Sequence, residues 1–387
     1  MAALSFQNLI HDLIVKPICG LREFIVASLY LSSPTSSVAR YLKPRDHFAA
    51  HDGVRFEGYY TRILTEDRGT IIIIFSSVPD AKNCPYFVHA SYTPPRVPPQ
   101  GLSLSSSATK ICKDSFPNVI RYVPGISYDT LQAFSLEAEG VGSYTIEEER
   151  QGYQMAFDDG LSISVNLSKR SPLFPDAPFR PPHGIFASLG ILLPLHWHIF
   201  SSSSQANYEI KKDDHTIMKG TGIAHAEKNW GNSFPKAWTW IQGISKDNRV
   251  TFASAGGAIL AGTAYMINYR SDKVHISFAP PWTIMLGGRG LFISERLDPE
   301  KKTVIIDVSN FTSRLIVHAS APLDKDTWLP LHCPLYEGHG NQAAHESFAA
   351  TIIIEVFQRR FIRSSWMHVE TTVLEDSALE FGGLYNK

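Results

Sequence analysis

Sixteen positions, 225–240, hold His225, Glu227, Lys228, Asn229 and three tryptophans, Trp230, Trp238 and Trp240, out of seven in the whole chain. If 238–242 is a strand, its period of two puts Trp238, Trp240 and Gln242 on one face. Two indoles ending in an amide make a wall for a large apolar ligand with one polar atom to hold. The same indoles would equally serve as core filling. A second group lies at 55–62, RFEGYYTR, where Glu57, Tyr59 and Thr61 share one strand face and Phe56, Tyr60 and Arg62 the other. A carboxyl group on an aromatic wall is desolvated, so its pKa rises and it can deliver a proton at neutral pH. Pairing of Glu57 with Arg55 or Arg62 is the alternative. The third group is His196-Trp197-His198, both imidazoles on one face and Trp197 on the other. Zinc needs a third ligand that no neighbouring motif supplies. These histidines therefore read as proton carriers or hydrogen-bonded core groups, and no metal is expected.

Other signatures of chemistry are missing. There is no GxSxG elbow, no GxxxxGK[ST] loop and no GxGxxG between a strand and a helix. The pairs Gly256–Gly257 and Gly287–Gly288 sit between β-like runs, where bulges or turns explain them.

The elements that must position these groups are strands. Runs such as TIIIIFS (70–76), LSISV (161–165), WTWIQGI (238–244), TVIIDV (303–308) and TIIIEVF (351–357) are rich in β-branched and aromatic residues. Helical periodicity is confined to the first 40 residues, which end in a break at Ser32–Ser37. The expected architecture is all-β, a sandwich or barrel. The stretch SPLFPDAPFRPPH (171–183) carries five prolines and cannot lie inside a sheet. The expected organisation is a helical extension at 1–40, a first β domain at 41–180 and a second at 181–387.

Composition narrows the class. The 387 residues are 44% apolar and 19% charged, which excludes a disordered chain. Lys+Arg is 36 against Asp+Glu at 37, with no basic excess for nucleic acid. The four cysteines are scattered and read as reduced thiols. No apolar run reaches the roughly 18–20 residues that cross a bilayer, and His11, Asp12 and Lys16 interrupt the place of a signal core. The expectation is a cytoplasmic protein. Segment 18–31 can lie on an internal membrane surface as an amphipathic helix, the alternative being a helix packed on the body.

The run Ala226-Glu227-Lys228-Asn229-Trp230-Gly231, then Ser233-Phe234-Pro235, Trp238-Thr239-Trp240 and Gln242, resembles the EKNWG…FP..W.W.Q signature of the tocopherol cyclase family. Phe56-Glu57-Gly58-Tyr59-Tyr60 is similar to its FEGWY element, and Pro194 with His196-Trp197 to its PHW element. Leu379-Glu380-Phe381-Gly382-Gly383 is similar to its closing strand. The resemblance implies two lipocalin-like β-barrel or sandwich halves and cofactor-free ring closure in a cavity between or within them. Tyr59 stands for the family's Trp, Thr239 for an aromatic residue and His198 for Gln. These departures suggest a substrate other than the plant one, such as a terpenoid or meroterpenoid of secondary metabolism.

Two routes to an oxygen heterocycle follow. In one, Glu57 or Glu227 protonates an alkene, Trp238 and Trp240 shield the cation, and a phenol oxygen captures it. In the other, a hetero-Diels–Alder step joins an ortho-quinone methide to an alkene, with His196, His225 or Gln242 donating to the carbonyl oxygen. Tyr59, Trp197, Asn229 and Trp230 are further expected substrate contacts. A carrier that binds an apolar metabolite unchanged is the rival class. The expected partner is a hydrophobic small molecule, with no cofactor and no nucleic acid; oligomeric state is left open.

Overall fold

A computed structural model describes residues 50–386 apart from 52, 96–109, 125–133, 148–149, 176–180, 184–194, 233 and 260–261. The helical extension expected at 1–40, and segment 18–31 within it, lie outside the described residues.

The first sheet contains β1 (Phe56–Thr65), β2 (Thr70–Ser77), β3 (Tyr86–Thr93), β4 (Ile111–Ser115), β5 (Ile120–Pro124) and β6 (Phe134–Ala138). It continues with β7 (Gly142–Ile146), β8 (Gln151–Ala156), β9 (Leu161–Ser171), β10 (Leu195–Lys212) and β11 (His215–Gly231). Their order is β4-β3-β2-β1-β11-β10-β9-β8-β7-β6-β5. The second sheet opens with β12 (Ala237–Ile244), β13 (Thr251–Ile259), β14 (Gly262–Arg270), β15 (His275–Phe278), β16 (Ile284–Leu286) and β17 (Ile293–Asp298). It is completed by β18 (Thr303–Ser309), β19 (Ser313–Ser320), β20 (Trp328–His332), β21 (Gln342–Gln358) and β22 (Met367–Gly383). Its main path is β15-β14-β13-β12-β22-β21-β19-β18-β17. In both sheets the first strand in sequence pairs antiparallel with the last, β1 with β11 and β12 with β22. The all-β expectation holds, as two curled, lipocalin-like half-barrels.

The sheets divide elsewhere than expected. Strands β10 and β11 fall after the Pro-rich stretch, inside the proposed second domain 181–387, yet they complete the first sheet. The change of sheet comes between Gly231 and Ala237. A proline-rich crossing ends one strand, but backbone pairing decides which sheet the next one joins.

Three cores result. One fills the curl of the first sheet around Ile71, Ile73, Tyr144 and Phe200. A second fills the curl of the other sheet around Ile241, Ile267 and Ile306. The third lies between the sheets and includes Ile72, Trp197, Ile199, Trp238, Trp240 and Phe348. Strand β2 feeds two of them: Ile71, Ile73 and Phe75 point into the curl, Ile72 and Ile74 between the sheets. That is why its sequence is an unbroken apolar run. Strand β18, TVIIDVS, buries only alternate residues. The site is built from strands buried on both faces.

Candidate active site between the two sheets

Period two and register set the site. On the first sheet, Gly58 of β1, Asn229 of β11 and Trp197 of β10 form one row. The next row is Tyr60, Glu227 and Ile199, and Arg62 beside His225 begins a third. On the second sheet, Trp238 lies beside Gly382, and Trp240 beside Glu380, which in turn faces Glu346 of β21. Side-chain bonds lock row to row. Tyr60 Oη donates to Glu346 Oε1 at 2.7 Å, Trp240 Nε1 to Glu227 Oε2 at 3.2 Å, and Arg62 Nη1 to Gln242 Oε1 at 2.5 Å.

Between these rows is a cavity of about 140 Å³. Its walls include Ile74, Trp197, Phe234, Trp238, Trp240 and Met266, with Glu227, Asn229 and Glu380 among its polar lining. Trp238 meets Phe234 edge-to-face at 4.7 Å, and Tyr60 meets Trp240 at 5.1 Å. Gly382 is what lets Trp238 lie flat: a Cβ there would sit 1.9 Å from Cε2 of the indole.

Three carboxyl groups converge at one end. Glu227 accepts from Trp240 and pairs with His225 Nε2 at 2.7 Å. Glu380 accepts from Trp238 Nε1. Glu346 is fully buried, and its Oε2 has no hydrogen-bond partner among the described residues. Burial pushes Glu380 up to about 7, opposed by the Trp238 bond and reinforced by the charge of Glu227. Burial and the neighbouring Glu380 push Glu346 well above the usual carboxylate range, against the Tyr60 bond and Arg62. Two carboxyl groups facing each other across one ladder cannot readily both ionise in a low-dielectric site. The Glu346–Glu380 pair therefore keeps a proton at neutral pH.

The row beside Glu227 supplies neutral polar groups. Trp197 Nε1 and Asn229 Oδ1 belong to register neighbours, both buried and both without a hydrogen-bond partner among the described residues. Gly58 leaves the space in front of them, since a Cβ there would come within 3.2 Å of Asn229 Oδ1. A donor beside an acceptor is the complement of a hydroxyl group.

The structure separates the expected residues into two sets. Glu227, His225, Trp197, Asn229, Trp238, Trp240 and Gln242 all face the inter-sheet space. Glu57, Tyr59, His196 and Trp230 point the other way, into the curl of the first sheet. Tyr59 borders the cavity, but its ring packs with Phe134, Tyr144 and Phe200. Trp230 is stacked between His51 at 4.3 Å and His196 at 5.2 Å.

Glu57 is a correction in charge as well as place. Burial would raise its pKa, but Lys228 Nζ at 2.8 Å and His51 Nδ1 at 2.9 Å outweigh burial and hold it at about 2. It is an ionised structural partner of Lys228, not an acid, and its partner is neither Arg55 nor Arg62. Sequence reasoning missed Glu346 and gave Glu380 no role. The available signal was a lone Glu among small and apolar residues in HESFAA and ALEFGG, a pattern that exposes nothing about burial.

The fold and site thus define a two-sheet β protein with an acid-bearing apolar cavity between its sheets. Residues 175–270 match the family described as tocopherol cyclase-like. Tocopherol cyclase, chloroplastic, from Zea mays is 23% identical over 198 residues, which cover 49% of this chain and 39% of the maize protein. The crystal structure of CghA superposes with a TM-score of 0.55 at 8% identity, covering 88% of this chain and 95% of CghA. CghA with Sch210972 gives 0.54, again at 8% identity, over 88% and 94% of the two chains. At that identity the likeness is one of fold.

Proposed function

We propose that the chain is a cofactor-independent cyclase that forms a pyran- or chroman-type oxygen heterocycle on an apolar terpenoid or meroterpenoid. The observation that carries this reading is Glu380, a proton-holding carboxyl group on the wall of an indole-lined cavity. The match to a tocopherol cyclase-like family supports the same class of chemistry.

The residues supply a complete acid–base cycle. The Glu380 carboxyl gives its proton to an alkene carbon; a C–H bond forms, the π bond breaks and a tertiary cation remains. Trp238 and Trp240 shield that cation from water. The substrate hydroxyl, held between Trp197 Nε1 and Asn229 Oδ1, attacks it and forms the C–O bond. The hydroxyl proton returns to the carboxylate cluster, so the net change is an isomerisation. The cavity volume of about 140 Å³ is below the ~300–1,000 Å³ of sites that engulf drug-sized ligands. The reacting ring and alkene would sit inside, with the remaining hydrocarbon extending out.

A second reading is the hetero-Diels–Alder route, favoured by the buried Trp197 N–H, which can donate to a quinone-methide oxygen. Incubation of the purified chain in deuterated water with a prenylated phenol, and separately with an ortho-hydroxybenzyl alcohol plus an alkene, separates the readings, since loss of water from the alcohol supplies the quinone methide. Deuterium in the product of the first marks protonation, and a deuterium-free adduct from the second alone marks the pericyclic step. Tight binding without any product would leave a carrier.

A further inference from the structure

We propose that one end of the second sheet is a docking surface for an anionic lipid bilayer. Register brings three loops to that end: Ile293 pairs with Val308, Ser313 with Gln358, and Gln358 with Met367. The loops are 287–292, 310–312 and 359–366. They are tied together, because Arg359 Nε donates to the Phe311 carbonyl at 2.8 Å and the Phe311 ring meets Phe292 at 5.8 Å.

These loops and the strand ends beside them carry large apolar side chains into solvent. Leu286, Leu291, Phe361, Ile362 and Met367 are 60% to 95% exposed. Exposed apolar groups gathered on one patch mark an interaction site. Arginines interleave with them: Arg289 on one loop, and Arg359, Arg360 and Arg363 on the other. Neither 284–293 nor 359–368 contains an acidic residue. The nearest carboxylates along the strands are already engaged, Asp307 by Arg314 at 2.6 Å and Glu295 by Tyr265.

This combination favours a bilayer over a protein face. Apolar side chains on separate loops with arginines between them can enter the headgroup layer. There the apolar tips reach acyl chains while guanidinium forks bind phosphate. Clustered arginines next to an inserted apolar patch are drawn to anionic lipid. The proposal does not depend on the cyclase reading.

The test is flotation of the full chain with phosphatidylcholine vesicles with and without phosphatidylserine. The chain should float with the anionic vesicles only, and added salt should weaken it. Arg360→Ser with Arg363→Ser should lower the partition about tenfold or more. Phe361→Ser with Ile362→Ser should do the same while leaving the unfolding temperature unchanged, since all four side chains are exposed. Failure to float, or flotation unchanged in both double variants, overturns the proposal, the latter because another segment would then carry binding. Self-association that the same variants abolish, without vesicle binding, also overturns it in favour of a second copy of the chain.

Discussion

Glu346 and Glu380 stand directly opposite each other in the ladder between β21 and β22. Each is bonded to an aromatic donor, Tyr60 across the cavity for one and Trp238 alongside for the other. Two carboxyl groups in adjacent cross-strand positions repel when ionised, and burial raises that cost. Sharing a proton is the low-energy arrangement, and it places an acid against an apolar wall.

Turnover by the protonation route should therefore fall as pH rises through about 7, where Glu380 ionises. Glu380→Gln should lower kcat about a hundredfold or more, the usual worth of a general acid. Glu227→Gln removes the neighbouring charge that helps keep Glu380 protonated, so it should move the alkaline limb of the pH–rate profile to lower pH. An unmoved limb would exclude that coupling.

Stability should carry the same signature. The carboxyl of Glu380 is raised from 4.5 to about 7 on folding, so its contribution is fully present below 4.5 and is lost as pH rises through about 7. Urea midpoints measured across that window should decline in the wild type. The decline should shrink in Glu380→Gln.

The Glu57–Lys228 pair predicts the opposite slope. Glu57 falls from 4.5 to about 2 on folding, so its contribution is present above 4.5 and is lost as pH drops toward 2. Lys228→Met strands a buried carboxylate and should cost about 3–5 kcal/mol in chemical unfolding. Glu57→Gln should leave the alkaline limb of activity in place, because this carboxylate faces away from the cavity.

Gly382 should tolerate no side chain. A Cβ 1.9 Å from the Trp238 ring must displace an indole hemmed in by Phe234. Gly382→Ala should cost about 1–3 kcal/mol of stability and shift tryptophan emission. Because the displaced indole also leaves Glu380, turnover should fall in protein that is still folded.

Trp197→Phe keeps the ring bulk and deletes one N–H; Asn229→Ala deletes the adjoining acceptor. Loss of either partner from a buried hydroxyl should raise KM roughly tenfold, by about 1–3 kcal/mol for a buried group left unpaired. Unchanged KM in both would remove the hydroxyl from this end of the cavity.

Much of this is legible at the level of single strands. Alternation places Trp238, Trp240 and Gln242 on one face, and it separates Glu57 from Tyr60 and Arg62. It cannot say that the face of Glu57 turns into the curl of its own sheet while Tyr60 looks across to the other. For the same reason the local pattern makes Glu57 a candidate acid, although the side chain that fixes its charge, Lys228, arrives from 171 residues away.

The sequence by itself determined strands, their two faces and the crowding of indoles near a conspicuous carboxylate, because a side-chain period of two is a local property of extended backbone. Only the tertiary structure decided which carboxyl groups share a proton. That depends on burial and on neighbours brought together by β1–β11, β12–β22 and the closing of one sheet on the other. Charge state follows the company a group keeps in space, and that company is assembled from distant parts of the chain.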